Sequence, residues 1–322
     1  MNSFGRILKV TLYGTSHNTE IGIVIDGCPA GIGINPKDFE NDLARRSPKT
    51  LGTTSRIEED TPIIKSGVYN GYTNGSPLVI SFLNKNINTS DYNFEGFYRP
   101  GHADLTSYIK YNGYNDPNGG GQSSGRMTLP IVAAGVVAKK IINNIVIQGE
   151  LLTTTGPNNI EDEIKKAYNE NNSIGGIVIC NVSGVPIGLG EPFFDSIESL
   201  ISHAIFSIPG AKAIEFGEGI KSSQMKGSEF NDMYINKEGK THTNNNGGIN
   251  GGISNGNDIY FKVYFKPTPS IGKSQTTLNF VSNDMQNFEI KGRHDVCYAI
   301  RTPVIVEALT ALVIADLFLL SK

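Results

Sequence analysis

Three histidines stand in segments suited to proton transfer. His17, His102 and His294 lie in YGTSHN, RPGHAD and GRHD, each flanked by Gly, Pro or Arg. Imidazole titrates near pH 6.5, so each can protonate a leaving group at neutral pH. Arg45, Arg46, Arg99, Arg126 and Arg293 add planar, permanently charged forks that suit phosphate and carboxylate oxygens. A single loop histidine more often caps or packs. Three of them with five arginines point to acid–base chemistry beside an anion. The HAD and HD pairs resemble metal ligands, but no HxxxH or cysteine partner accompanies them, so no metal site is expected.

An anion needs such a local cluster here, because 28 basic against 31 acidic residues give a net charge of -3. That balance offers no global attraction to nucleic acid or an anionic membrane, so a small-molecule substrate is expected. Common nucleotide patterns fail. SIGKS (270–274) ends like a phosphate loop, yet Pro267 holds the upstream Gly position, and no GxGxxG opens a helix after a strand. GGGQSSG (119–125) can present clustered N–H groups and hydroxyls at the start of a helix, where the dipole favours anions, or can be only a flexible turn.

The elements that must position these groups alternate irregularly. Strands are expected at Ile7–Leu12, Ile21–Ile25, Ile63–Val68, Leu78–Leu83, Ile174–Val182 and Ile259–Phe265. Asn35-Pro36 starts a helix carrying Phe39, Leu43 and Arg45-Arg46 in its last turn. Further helices are expected at Arg126–Ile142, Ile160–Asn169 and Asp195–Phe206. This interleaving predicts an α+β fold, and with no long linker the chain reads as one domain over 1–322. GIVIDGCPAGIG (22–33) and GIVICNVSGVPIGLG (176–190) share a strand, a turn and a following helix, either by chance or through internal duplication.

Pro303–Leu320 is the most apolar stretch, interrupted by Glu307 and Asp316. At about 100° per residue these carboxylates point to opposite faces, so no single polar stripe hides both from lipid. A buried core helix is expected, with no membrane partner. Three separated cysteines make neither a disulfide framework nor a metal pair, which suits a reducing, cytoplasmic location.

In order along the chain, GTSHNTEIGIVIDGCPAG, LARRSP, SGVYNGYTNGSPL, RPGHADLTSYIKY, GGGQSSGRMT, GISNG, KPTPSI and GRHDVCYAIRTPVIVEAL resemble the chorismate synthase family. The resemblance runs from about residue 4 to residue 319, and RPGHAD and GRHD are its most specific parts. It implies a shikimate-pathway lyase that removes phosphate from 5-enolpyruvylshikimate 3-phosphate by anti-1,4 elimination. It also implies a requirement for reduced FMN without net redox change, with NADPH a candidate reductant. A sandwich of antiparallel sheets and helices, assembled as a homotetramer, is implied as well.

By that resemblance His17 is the acid that assists phosphate departure, with Ser16 beside it. His102 helps set the protonation of the reduced flavin, and Asp295 assists flavin N5 in removing the ring proton. Flavin contacts fall on Gln122, Ser123, Ser124, Pro209, Gly210, Gly251, Lys266, Pro267, Thr268, Pro269, Ser270 and Arg293. Arg45, Arg46, Arg99 and Arg126 surround the substrate phosphate and carboxylates. The chain departs from the family pattern at Thr15 (usually Glu), Asn18 (usually Gly), RRSPK in place of RRxPG, and Asn118 and Gln122 in place of arginines. A non-catalytic flavin- or anion-binding relative is the competing reading. It should have lost His17, His102 or Asp295, and all three are present.

Overall fold

The computed structural model describes residues 1–48, 52–53, 59–85, 94, 96–153, 159–290 and 295–322. Arg293 and His294 lie outside the described residues. The first sheet contains β1 (Ser3–Phe4), β2 (Lys9–Gly14), β3 (Glu20–Asp26) and β4 (Ile63–Ser66). A small hairpin of β5 (Val68–Tyr69) and β6 (Tyr72–Thr73) leads to β7 (Leu78–Leu83), and the sheet order is β1-β2-β3-β7-β4, antiparallel throughout. The second sheet contains β8 (Val146–Thr153), β9 (Gly176–Ser183) and β10 (Ala211–Phe216). After the hairpin of β11 (Ile249–Asn250) and β12 (Ile253–Ser254) comes its last strand, β13 (Ile259–Phe265), giving the antiparallel order β10-β13-β9-β8. A separate hairpin joins β14 (Gln275–Asn279) to β15 (Asp284–Phe288). Helices mixed with antiparallel sheets make the fold α+β, as the irregular alternation predicts.

Seven helices accompany the sheets among the described residues: α1 (Glu40–Arg46), α2 (Asp104–Lys110), α3 (Thr128–Ile141), α4 (Ile160–Asn169), α5 (Ile197–Ile205), α6 (Gly227–Phe230) and α7 (Pro303–Leu320). Helix α1 is entered through a 3₁₀ turn, Pro36–Phe39. There Asn35 accepts from the Lys37 N–H and Asp38 accepts from the Asn35 N–H, closing a reciprocal cap. The expected helix from Arg126 begins two residues later, because two 3₁₀ turns precede α3. Pro130 falls in the first turn of α3, where its missing N–H costs nothing.

Helix α3 packs on β3 and β7, α7 packs on β8 and β9, and the two helices lie against each other. They meet closely at Gly135, where a Cβ would run into Ala308. Val304–Leu317 of α7 is wholly buried, so this helix, though long and apolar enough to cross a membrane, is a core helix. Its two carboxylates are both satisfied. Glu307 accepts two bonds from Arg45 (2.6 and 2.8 Å), one from Lys139 (2.9 Å) and one from the Gly149 N–H (2.8 Å). On the opposite face Asp316 accepts the backbone N–H groups of Arg6, Ile7 and Leu8, each at 2.8 Å.

Buried acceptors with backbone donors are costly to lose, so Asp316→Ala should lower unfolding free energy by about 1–3 kcal/mol in urea titrations. Burial raises the Glu307 carboxyl pKa, but Arg45 and Lys139 outweigh it and hold the group below its ordinary value of 4.5. Its contribution is therefore present above the ordinary value and lost as pH falls below it. The stability gap between the parent and Glu307→Gln should shrink in that acid range, and a gap constant with pH would contradict the ion-pair account.

Candidate active site

Strand β2 ends at Gly14, and the turn that follows carries Ser16 and His17 into β3. Ser16 is buried and its hydroxyl lies 2.9 Å from His17 Nδ1. Behind the ring runs the Gly-rich segment. Gly119 has φ +62°, and a Cβ there would run into the His17 ring and the Ser16 hydroxyl, so only glycine fits. The Ser16 N–H reaches Gly121 O at 3.3 Å, and Thr15 donates its hydroxyl to Asp116 at 2.9 Å. Asn84, just past β7, donates to the carbonyls of Thr15 (3.2 Å) and Asn18 (2.6 Å) and accepts from Arg126 Nε (3.1 Å).

Adjacent residues on a helix diverge by about 100°, and α1 therefore sends Arg45 and Arg46 to different places. Arg46 is 2% exposed and donates to Thr128 Oγ1 (3.1 Å), Gly125 O (3.1 Å) and Asp60 (3.4 Å). Arg126 also binds Asp60, at 2.6 Å. Arg301 donates through Nε to the Arg46 carbonyl (2.9 Å) and through Nη1 to both oxygens of Asp295 (3.2 and 3.3 Å). Three guanidinium groups thus face two carboxylates. Burial, with Arg301 and Arg126 nearby, pushes the Arg46 pKa down to about 9, still cationic at neutral pH. The adjoining Tyr298 phenol is pushed up, mainly by burial.

Arg45 does not join this group. Its guanidinium grips Glu307 and borders a separate groove of about 390 Å³ shared with Asp42, Lys139 and Gly149. Arg99 is used as a brace. It forms a two-pronged pair with Asp104 (both bonds 2.7 Å) and donates to Gly119 O at 2.6 Å, behind the His17 ring.

A second cluster gathers RPGHAD and KPTPS. His102 Nδ1 lies 3.2 Å from Pro100 O, so it carries the hydrogen, and Nε2 accepts from Ser270 at 2.8 Å. Burial and then Arg99 push the His102 pKa down to about 4. Lys266 donates to Gly101 O at 2.8 Å, its backbone N–H reaches Gly210 O beside Pro209 at 2.9 Å, and Pro269 abuts Gly101. Gln122 and Ser123 lie in one 3₁₀ turn, and Ser124 caps the next by accepting the Arg126 N–H at 3.2 Å. Gly251 stands at the β11–β12 tip with open space at its Cα, and its neighbour Gly252 is tied to the start of α5.

A sequence model described as chorismate synthase matches residues 8–319. A chorismate synthase from Chitinophaga pinensis is 51% identical, with all of this chain and 98% of the relative covered. The chain belongs to the chorismate synthase family. Another member, from Aliarcobacter butzleri, is 41% identical over all of this chain and 96% of its own length. A crystal structure of chorismate synthase superposes with a TM-score of 0.76 at 26% identity, covering 99% of this chain and 93% of that one.

Within this chorismate synthase fold, sequence reasoning missed Asp60, Asn84, Thr128, Tyr298 and Arg301. Thr128, Tyr298 and Arg301 carried a signal, since they lie within the GGGQSSGRMT and GRHDVCYAIRTPVIVEAL motifs, whereas Asp60 and Asn84 lie in no motif. The low His102 pKa has a consequence for stability. The native state resists protonation that the unfolded chain accepts from its ordinary 6.5, so stability is full above that pH and falls as pH drops towards about 4. His102→Gln should remove this part of the slope, as read by melting temperature from pH 7 to 4.

Proposed function

We propose that this lyase converts 5-enolpyruvylshikimate 3-phosphate to chorismate and phosphate by anti-1,4 elimination, with reduced FMN as its cofactor. The observation that carries the reading is the guanidinium group of Arg46, Arg126 and Arg301, joined to the His17 turn through Asn84. A chain of net charge -3 gathers these cations at one place, which a substrate with one phosphate and two carboxylates requires. Fixed cations lower the barrier to phosphate departure by stabilising the charge that develops on its oxygens. His17 protonates the departing phosphate, and Ser16 orients its ring. Asp295, pinned by Arg301, takes the ring proton. Arg46 and Arg126 hold the anions, with Arg45 and Arg99 bracing α1 and the Gly119 loop.

The residues present fit a flavin. Thr268 Oγ1 is enclosed and has no protein partner among the described residues. Glycines at 101 and 210 leave room beside Lys266, and neutral His102 and Ser270 form one polar edge. His102, Gln122, Ser123, Ser124, Pro209, Gly210, Gly251, Lys266, Pro267, Thr268, Pro269, Ser270 and Arg293 would hold it. Reduced flavin, when bound, lends electron density to a substrate losing an allylic phosphate. Around it the chain orients the substrate and excludes water.

The protein acts as one sandwich domain over 1–322, supported by a buried core that draws on both sheets and the α3–α7 pair. Internal duplication is supported by β3 and β9, each an inner strand with antiparallel neighbours on both sides. A cytoplasmic homotetramer, whose flavin is reduced either by NADPH on the protein itself or by an external reductase, completes the reading.

Purified protein with reduced FMN and the substrate should release phosphate, and none released would overturn the reading. His17→Ala should lower turnover by roughly 10²–10⁴-fold with FMN affinity little changed. Asp295→Asn should fold, bind FMN and lose turnover by a similar roughly 10²–10⁴-fold. Deuterium at the departing C6 position should slow that variant more than the parent. An active but less stable Asp295→Asn protein would reduce Asp295 to a structural partner of Arg301.

A further inference from the structure

Asn84 is 7% exposed and stands between the two halves of the proposed chemistry. Its side-chain nitrogen faces two carbonyl oxygens, those of Thr15 and Asn18, which lie immediately before and after Ser16-His17. Its side-chain oxygen faces a guanidinium N–H of Arg126. The amide orientation is therefore fixed by chemistry, since only the NH₂ group can donate to the carbonyls and only the oxygen can accept from arginine. Its own N–H is also used, donating to Thr19 O at 3.0 Å across the β3–β7 pairing. Both ends of the His17 turn are thus hung on one side chain, whose other atom touches a cation of the anion group.

We propose that Asn84 is a positioning residue that holds the acid His17 in register with Arg126. The inference rests on the reading of His17 as the proton donor to departing phosphate. That phosphate must sit against Arg126 and within reach of His17 at once, so the separation of the two must be set before substrate arrives. The Thr15 hydroxyl and the Ser16 N–H tie this turn, TSHNT, to the Gly-rich segment, but neither bond reaches the Arg126 guanidinium. Asn84 supplies the constraint through hydrogen bonds at 2.6–3.2 Å. Arg126 has a second anchor in Asp60 at 2.6 Å, whereas the two turn carbonyls share the Asn84 nitrogen. Removing the Asn84 side chain should therefore release the His17 turn more than it disturbs Arg126.

The effect should fall on kcat and largely spare substrate binding. Asn84→Ala should lower kcat by roughly 10–10²-fold, the scale expected for a group misplaced by about 1 Å, with KM changed by less than about fivefold. Substrate should raise the melting temperature of flavin-free Asn84→Ala protein as much as that of the flavin-free parent, by mass action on the folded state. On a His17→Ala background the same substitution should cost almost nothing further, because the group it positions is already gone. Asn84→Asp keeps shape and the contact to Arg126 but sets a carboxylate oxygen against two carbonyls. It should match or exceed the alanine loss, and it serves if Asn84→Ala does not fold.

Equal losses with and without His17 would overturn the proposal, as would parental kcat in either variant or a loss borne by KM alone. A His17→Ala protein with parental turnover would instead overturn the assignment of His17, and this proposal with it. A slow His17→Ala protein beside a fully active Asn84→Asp protein would sink the positioning role alone.

Discussion

The burial of Arg46 is the constraint around which the site is organised. A cation that is 2% exposed must find partners in place of water, or its desolvation would cost several kcal/mol. Its partners come from three separate parts of the chain. Gly125 and Thr128 mark the entry to α3, Asp60 comes from the segment before β4, and its own carbonyl holds Arg301 at the entry to α7. The bonds of one residue, through its guanidinium and its carbonyl, therefore fix the relative placement of α1, α3 and α7 at these ends. They also bring Arg126 and Arg301 alongside, at a cost in repulsion that Asp60 and Asp295 offset.

The same logic explains why two neighbouring arginines have different fates. Arg45 is 38% exposed in its side chain and pairs with a carboxylate that is 3% exposed. Glu307 cannot remain charged inside an apolar helix without cations, so Arg45 and Lys139 are committed to it. Arg45 is thereby a requirement of the core helix, and Arg46 a requirement of the site. The tandem RR shows none of this division, because the helical angle between neighbours and the position of Glu307 decide it.

Much of the architecture was legible because its signals are local. The Asn35-Pro36 start, α4, β7, β13 and α7 emerge from caps, breakers and periodicity alone. Strand β8 was not seen. Its Gly149 reads as a breaker, whereas in the fold it lets the N-terminal end of α7 approach and gives its N–H to Glu307. Helix α2 was hidden because it spans only seven residues, so Leu105, Tyr108 and Ile109 give a helical spacing over less than two full turns. The chemistry-bearing types, His, Arg and Asp in Gly-flanked motifs, stood out in the sequence. Their supports did not, since Asn84 meets Arg126 across 42 residues and Asp60 meets it across 66. No local spacing encodes such pairs.

Two departures from the family pattern, at Thr15 and Asn118, fall where the structure offers a substitute. Thr15 stands where the resemblance expects Glu, and Asn118 where it expects Arg, so the segment carries fewer charges of both signs. Asp116 now accepts from the Thr15 hydroxyl and from both the backbone and side-chain N–H groups of Asn118, at 2.9–3.0 Å. One carboxylate with neutral donors ties the His17 turn to the Gly-rich segment, with less cost of burying opposed charges. Hydrogen bonds of this kind hold geometry without adding to the field at the site. The positive potential then depends on Arg46, Arg126 and Arg301, whose positions rest on Asp60, Thr128 and the Arg46 carbonyl. The altered segment accordingly changes how the His17 turn is held while leaving the Arg46, Arg126 and Arg301 group in place.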